Sequence, residues 1–159
     1  MPVVPFEELL DHIPERARLL GLDLGEKTIG LAVSDRDRTV ASPVETIRRS
    51  KFTQDAERLR AVCDDRQVQA LVLGLPVGLN GAEGKRCQAT RQFARNLVQE
   101  AGVELPITFW DERLSTAAVE RFLSDEAGMK PAAQKQHVDQ MAAAYILQGA
   151  LDALRRTRD

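Results

Sequence analysis

Residues 19–35 read Leu-Leu-Gly-Leu-Asp-Leu-Gly-Glu-Lys-Thr-Ile-Gly-Leu-Ala-Val-Ser-Asp and constrain the fold more than any other stretch. Two apolar runs are separated only by Gly25, Glu26 and Lys27. A connection that short joins antiparallel strands, and the density of apolar residues places the first strand in the middle of a sheet. Asp23 interrupts the first run. Aspartate is depleted in strands, and a buried carboxylate without a partner is costly. A divalent cation would offset that cost; so would a turn-capping role or a pairing with Lys27. The choice depends on whether further carboxylates converge on Asp23.

Composition limits the partners. The 159 residues suit one domain with a real core. No apolar run approaches the length of a membrane span. Glu7, Glu8 and Asp11 sit where a secretory signal would need a basic start and an apolar centre. No membrane partner is therefore expected. Cys63 and Cys87 lie far apart and form no CxxC pair, which fits a cytoplasmic protein better than a disulfide scaffold or a zinc site. The net charge of −2 gives no global basic field, so nucleic acid would have to be held by local patches.

Residues 1–17 read as an N-terminal helical appendage: Phe6, Leu9, Leu10 and Ile13 have helical spacing and Pro14 ends the pattern. Residues 18–159 read as a single domain. Strands are expected over 18–24, 28–34 and 39–45, then a helix over 53–65 with Ala56, Leu59, Val62 and Cys63 on one face. Ala70 to Gly74 form a wholly apolar strand of the kind covered on both faces. A turn-rich loop with Pro76, Gly78, Asn80, Gly81 and Gly84 leads to a helix over 85–101, then a strand over 107–110. Ser115 can cap a helix to 127, and a last helix spans 136–156. The result is an α/β fold: a mixed five-stranded sheet, three antiparallel strands and then two parallel ones, with helices on both faces. Chemistry in such sheets collects beyond the carboxyl ends of the parallel strands.

Two further acidic sites fall where that rule points. Asp111-Glu112-Arg113 follows strand five at its carboxyl end, and Asp139 lies near the start of the last helix, on a face with Ala142, Ala143 and Ile146. An aspartate in a first helical turn also has a plain reading, as favourable to the helix dipole. Carboxylates meeting from separate elements suit hard cations such as Mg²⁺ or Mn²⁺. Two such ions can activate a water and stabilise the leaving oxygen of an in-line displacement. No Ser-His-Asp or Cys-His arrangement competes: His12 is in the appendage, and His137 has no serine or cysteine neighbour.

On these residues the chain resembles the YqgF family of ribonuclease H-like proteins, to which pre-16S rRNA nuclease and Holliday junction resolvase roles are ascribed. The matching segments are Leu22 to Gly30, Leu73-Gly74-Leu75-Pro76, Gly81 to Gly84, Phe93-Ala94, Asp111 to Thr116, and Val138-Asp139 with the alanines after it. They cover about residues 18–150 in the family's order. The resemblance implies a ribonuclease H-like fold and a divalent-metal-dependent nuclease, with Asp23, Glu112 and Asp139 as the catalytic, metal-binding trio. It implies a nucleic-acid partner, either ribosomal RNA precursor or branched DNA. Lys27, Thr28, Lys85, Arg86 and Arg113 are candidate phosphate contacts, against the plainer reading of solvated charges. No coiled-coil heptads enforce assembly, so a monomer or weak homodimer is expected. Asp111 is expected to point away from the trio, because consecutive strand residues face opposite sides.

Two other classes compete. Actin-like and sugar-kinase proteins also carry Asp-x-Gly on a first hairpin, but they close two such domains around ATP. A non-catalytic nucleic-acid or protein-binding factor could keep the fold, although clustered acids repel phosphates and give such a module little.

Overall fold

Side chains along the central strands alternate between two cores, and that alternation positions everything else. The computed structural model describes residues 2–78 and 80–112 and the helix Pro131–Arg158, with that helix's side chains from 141 to 157. The strands are β1 (Arg18–Leu24), β2 (Thr28–Ser34), β3 (Ala41–Arg48), β4 (Val68–Leu75) and β5 (Ile107–Asp111). The helices are α1 (Phe52–Arg66), α2 (Lys85–Gln99) and α3 (Pro131–Arg158). The sheet order is β3-β2-β1-β4-β5. β1 pairs antiparallel with β2 and parallel with β4, β2 antiparallel with β3, and β4 parallel with β5. The expected mixed five-stranded sheet is therefore present. β1, β3, β4 and β5 all end at one rim.

Leu20, Leu22 and Leu24 point to the face covered by α1 and α2, where they meet Leu71, Leu73, Phe93 and Leu97. Leu19 points to the other face, where Ala32, Ala70 and Val72 meet Ala143, Ala144, Leu147 and Ala150 of α3. Small residues let α3 lie close to the sheet. A Cβ placed on Gly21 would come 2.8 Å from Leu147 Cβ and 3.1 Å from the Ala143 carbonyl oxygen. The far end of α3 is tied to the β2–β3 turn: Arg155 Nη1 donates to the Thr39 carbonyl (3.0 Å), and the Ala41 N–H donates to Gln148 Oε1 (2.9 Å). Traced back towards its start, α3 thus climbs to the rim where β1 and β4 end.

β3 begins two residues later than the sequence suggests and runs on to Arg48. The Asp35 carboxylate accepts the backbone N–H groups of Thr39 and Val40 and the Thr39 hydroxyl, which holds those two residues in the turn. Residues 2–12 are tied into the sheet. Val4 N–H donates to the Ile107 carbonyl (2.8 Å) and Ile107 N–H to the Pro2 carbonyl (2.7 Å), so the segment runs beside β5. The following helix is 3-10 rather than α, seven residues from Phe6 to His12. Short pieces bounded by Pro5 and Pro14 favour that form. Leu9 is fully buried, and the Phe6 ring lies 4.9 Å from that of Trp110. Cys63 and Cys87 are buried free thiols, and burial with the nearby Asp64 charge pushes Cys63 up to about 12. Among the described residues no helix is long and apolar enough to cross a membrane.

Candidate functional site

Asp23 is the last-but-one residue of β1 and shares a sheet face with Leu19 and Gly21, the face under α3. Its cross-strand partner on β2 is Gly30, which has no side chain to crowd the carboxylate. The hairpin turn beyond it is closed by the Gly25 N–H, which donates to the Thr28 carbonyl at 2.8 Å. Asp23 itself is half-buried.

Glu112 directly follows the last residue of β5. Its N–H donates to the Leu75 carbonyl at 3.2 Å, which carries the β4–β5 ladder one residue past the strand and fixes where the side chain starts. The carboxylate lies over Gly74 on the α3 face. A Cβ at position 74 would sit 2.7 Å from Glu112 Oε2 and 2.6 Å from Ile146 Cδ1. Gly74 is thus the floor of the site, and a side chain there would displace the ends of Glu112 and Ile146. Burial, reinforced by the negative charge of Asp23 and more weakly by Asp111, pushes the Glu112 carboxyl up to about 7; Arg86 opposes the rise. Asp23 and Glu112 therefore act on one another across β4.

Two carboxylates share one face, and burial and the charge of Asp23 disfavour the ionised form of Glu112. A hard divalent cation would relieve both penalties at once. The donor set fits Mg²⁺ or Mn²⁺, which take carboxylate oxygens and keep open water positions. Asp111 lines a groove with Phe109, Arg91 and Glu83 instead. Among the described residues no three His, Cys, Asp or Glu side chains form a metal-binding group.

Asp139 belongs to α3 by its backbone, one turn before Ala143; its side chain lies outside the described residues, as do the side chain of His137, all of Arg113 and the helix expected over 115–127. Ala143 and Ile146, one and two turns on from Asp139, are both buried against the sheet. Lys27 is exposed at the hairpin tip, and Thr28 is half-buried opposite Arg48. Lys85 and Arg86 are exposed in the first turn of α2. That turn has no acidic residue, and Gly84 before it provides no side-chain cap. Arg86 is near enough to pull the Glu112 carboxyl downwards.

Sequence reasoning overlooked two contributors. Gly74 appears as a glycine ending an apolar strand and as part of a family-like segment, patterns that name no neighbour for it. Arg49 carries no signal at all. Its Nη1 donates to the Gly25 carbonyl (2.5 Å) and its N–H to the Lys27 carbonyl (2.8 Å), latching the end of β3 to the hairpin tip.

The family model described as "RuvX: Holliday junction resolvase" matches residues 17–153. A Rhodospirillum rubrum protein named "Putative pre-16S rRNA nuclease" is 56% identical over 158 residues, covering 99% of this chain and 97% of its own. A Rhodospirillum centenum protein of the same name is 59% identical over 152 residues, covering 94% of this chain and 80% of its own. Among solved structures, "T. thermophilus RuvC in complex with Holliday junction substrate" aligns with a TM-score of 0.54 at 17% identity, covering 89% of this chain and 97% of that one. At that identity the likeness is one of fold, and the fold is that of the ribonuclease H-like resolvases.

Proposed function

The chain belongs to the RuvX family, and from that membership and the acidic pair on its rim we propose that it is a divalent-metal-dependent endonuclease acting on structured nucleic acid. The observation that carries the reading is the Glu112 carboxylate lying over Gly74 on the sheet face of Asp23, where burial and the Asp23 charge raise its carboxyl. A pure binding factor would gain nothing from an anionic centre aimed at phosphates. Asp23 and Glu112, with Asp139 as the expected third ligand, would hold the ion or ions. Bound there, a divalent ion would supply an activated water and neutralise charge developing in an in-line displacement at phosphorus. Lys85 and Arg86 orient the phosphate from the α2 side, and Lys27, Thr28 and Arg113 are the remaining candidate contacts.

The substrate we propose is ribosomal RNA precursor, as the names of relatives more than half identical suggest. The family description favours a second reading, cleavage of four-way DNA junctions. Symmetric junction cutting needs two active sites facing one DNA, hence a dimer. Such work belongs in the cytoplasm. Purified protein with Mg²⁺ or Mn²⁺, offered both substrates, separates these readings. Cleavage of the RNA precursor that is lost by about 100-fold or more in Asp23→Asn and Glu112→Gln, comparable to removing a major transition-state stabiliser, with thermal melting retained, is the expected result. Paired symmetric nicks in a junction with the RNA untouched would reverse the order of substrates. Cleavage of neither would leave the binding factor.

A further inference from the structure

Most described cations in this protein are already occupied. Arg16, Arg58, Arg91 and Arg155 each pair with a carboxylate. Arg18 and Arg38 donate to backbone carbonyls. The exposed cations without such a partner among the described residues gather mainly at the rim that carries Asp23 and Glu112. Lys85 and Arg86 stand on one side, as already described. On the other side stand Arg48 and Lys51, beside Lys27 at the hairpin tip.

Their placement follows from register. β3 runs parallel to β1, so its last residue, Arg48, reaches the same rim. Arg48 pairs with Thr28, one pleat beyond the Gly30–Thr46 pair, and Gly30 is the partner of Asp23. Alternation therefore puts Arg48 on the sheet face of Asp23, while Ile47 turns into the core. Two strand spacings, about 10 Å, separate the end of β3 from that of β1. The turn that follows is held stiffly. Arg49 is latched to Gly25 and Lys27 as above and lies over the Phe93 ring at 5.8 Å. The Ser50 N–H donates to Asp55, a carboxylate only 3% exposed, at 3.1 Å. Arg48 and Lys51 are thus displayed from a turn that is tied to the hairpin carrying Lys27.

We propose that Arg48 and Lys51, with Lys27, form a second phosphate-binding surface across the acidic pair from Lys85 and Arg86. Nucleic acid then lies along the rim from α2 to β3, and its backbone is gripped on both sides of the phosphate at Asp23 and Glu112. This rests on the nuclease reading and adds to it the requirement for a substrate that continues beyond the cut in both directions. The contact is to phosphates, so RNA and DNA duplexes share it.

The test is binding of a 30-base-pair RNA duplex and a DNA duplex of equal length as a function of salt, with Ca²⁺ present to limit cleavage. Removing two phosphate contacts in Arg48→Ala/Lys51→Ala is expected to lower the slope of log affinity against log salt by about two on both polymers. Arg60→Ala, a partnerless exposed cation on α1 away from the rim, is expected to leave the slope alone. The swap Arg48→Lys/Lys51→Arg keeps both charges and is expected to keep the slope. An unchanged slope in the double alanine variant, with wild-type cleavage intact, overturns this surface and leaves the nuclease standing. A loss on one polymer only overturns the phosphate assignment. Wild-type protein that neither binds nor cuts overturns both.

Discussion

The two faces of the sheet are packed by different means, and the difference explains where the chemistry sits. Under α1 and α2 the filling is large: Leu20, Leu22, Ile29, Leu71, Leu73 and Phe93. Under α3 small residues, Gly21, Gly74, Ala32, Ala70, Ala143 and Ala150, are set among Leu19, Val72, Leu147, Leu151 and Leu154. The first face keeps its helices at the distance that bulky side chains impose. On the second, a helix lies close to strand backbone at Gly21, and Ile146 from that helix meets Glu112 over Gly74. Both faces carry a buried apolar core, and the candidate site lies on the second.

Adjacent residues on β4 allow that contrast to be tested. Leu73 is fully buried on the bulky face. Leu73→Ala should cost about 2–5 kcal/mol through lost burial and a cavity, while the folded fraction keeps its cleavage rate; denaturant unfolding alongside active-site-normalised kinetics checks both. Gly74→Ala adds a single methyl on the other face. It should cost less stability, about 1–3 kcal/mol by overpacking, yet abolish most activity, because the new Cβ falls 2.7 Å from Glu112 Oε2. If Gly74→Ala cut as well as the parent, the site would not need that floor.

The smallest effect concerns pH. An ordinary glutamate titrates near 4.5 and Glu112 near 7, raised first by burial and then by Asp23. Between those values the folded protein retains a proton that the unfolded chain has released. Stability of the metal-free protein should therefore fall as pH rises through this window and level off above about 7. Allowing for the partial exposure of the group, the drop should be about 1 kcal/mol. Melting temperatures between pH 4.5 and 8 in the presence of a chelator measure it. Glu112→Gln should flatten the slope, and so should Mg²⁺ or Mn²⁺. A slope unchanged in Glu112→Gln would assign the pH dependence to other groups.

Local pattern sufficed for much of this molecule. The hairpin around Gly25, the apolar strand β4 and the helices α1 and α2 follow from periodicity and turn residues, because hydrophobic alternation and glycine chemistry act over a few residues. Asp23 stood out as a carboxylate inside an apolar strand, whereas Glu112 was singled out from the Asp111-Glu112 pair only through the family resemblance. The start of β3 was misplaced, since the reach of Asp35 to Thr39 and Val40 is a side-chain contact that propensity does not register. The N-terminal segment looked separate because nothing local shows that Leu9 and Phe6 meet α3 and Trp110.

What local pattern fixes here is which segments become strands and helices, and which side of each is apolar; those preferences arise within a turn or a pleat. What only the assembled sheet fixes is which ends share a rim and how near they come. Strand order puts β1, β4 and β5 side by side, and Gly21 and Gly74 bring α3 against them. The raised Glu112 carboxyl exists mainly because burial and Asp23 meet there, from strands separated by more than 80 residues of chain. Electrostatics and steric closeness depend on distance in space, and for residues that far apart in sequence, space is set by the fold.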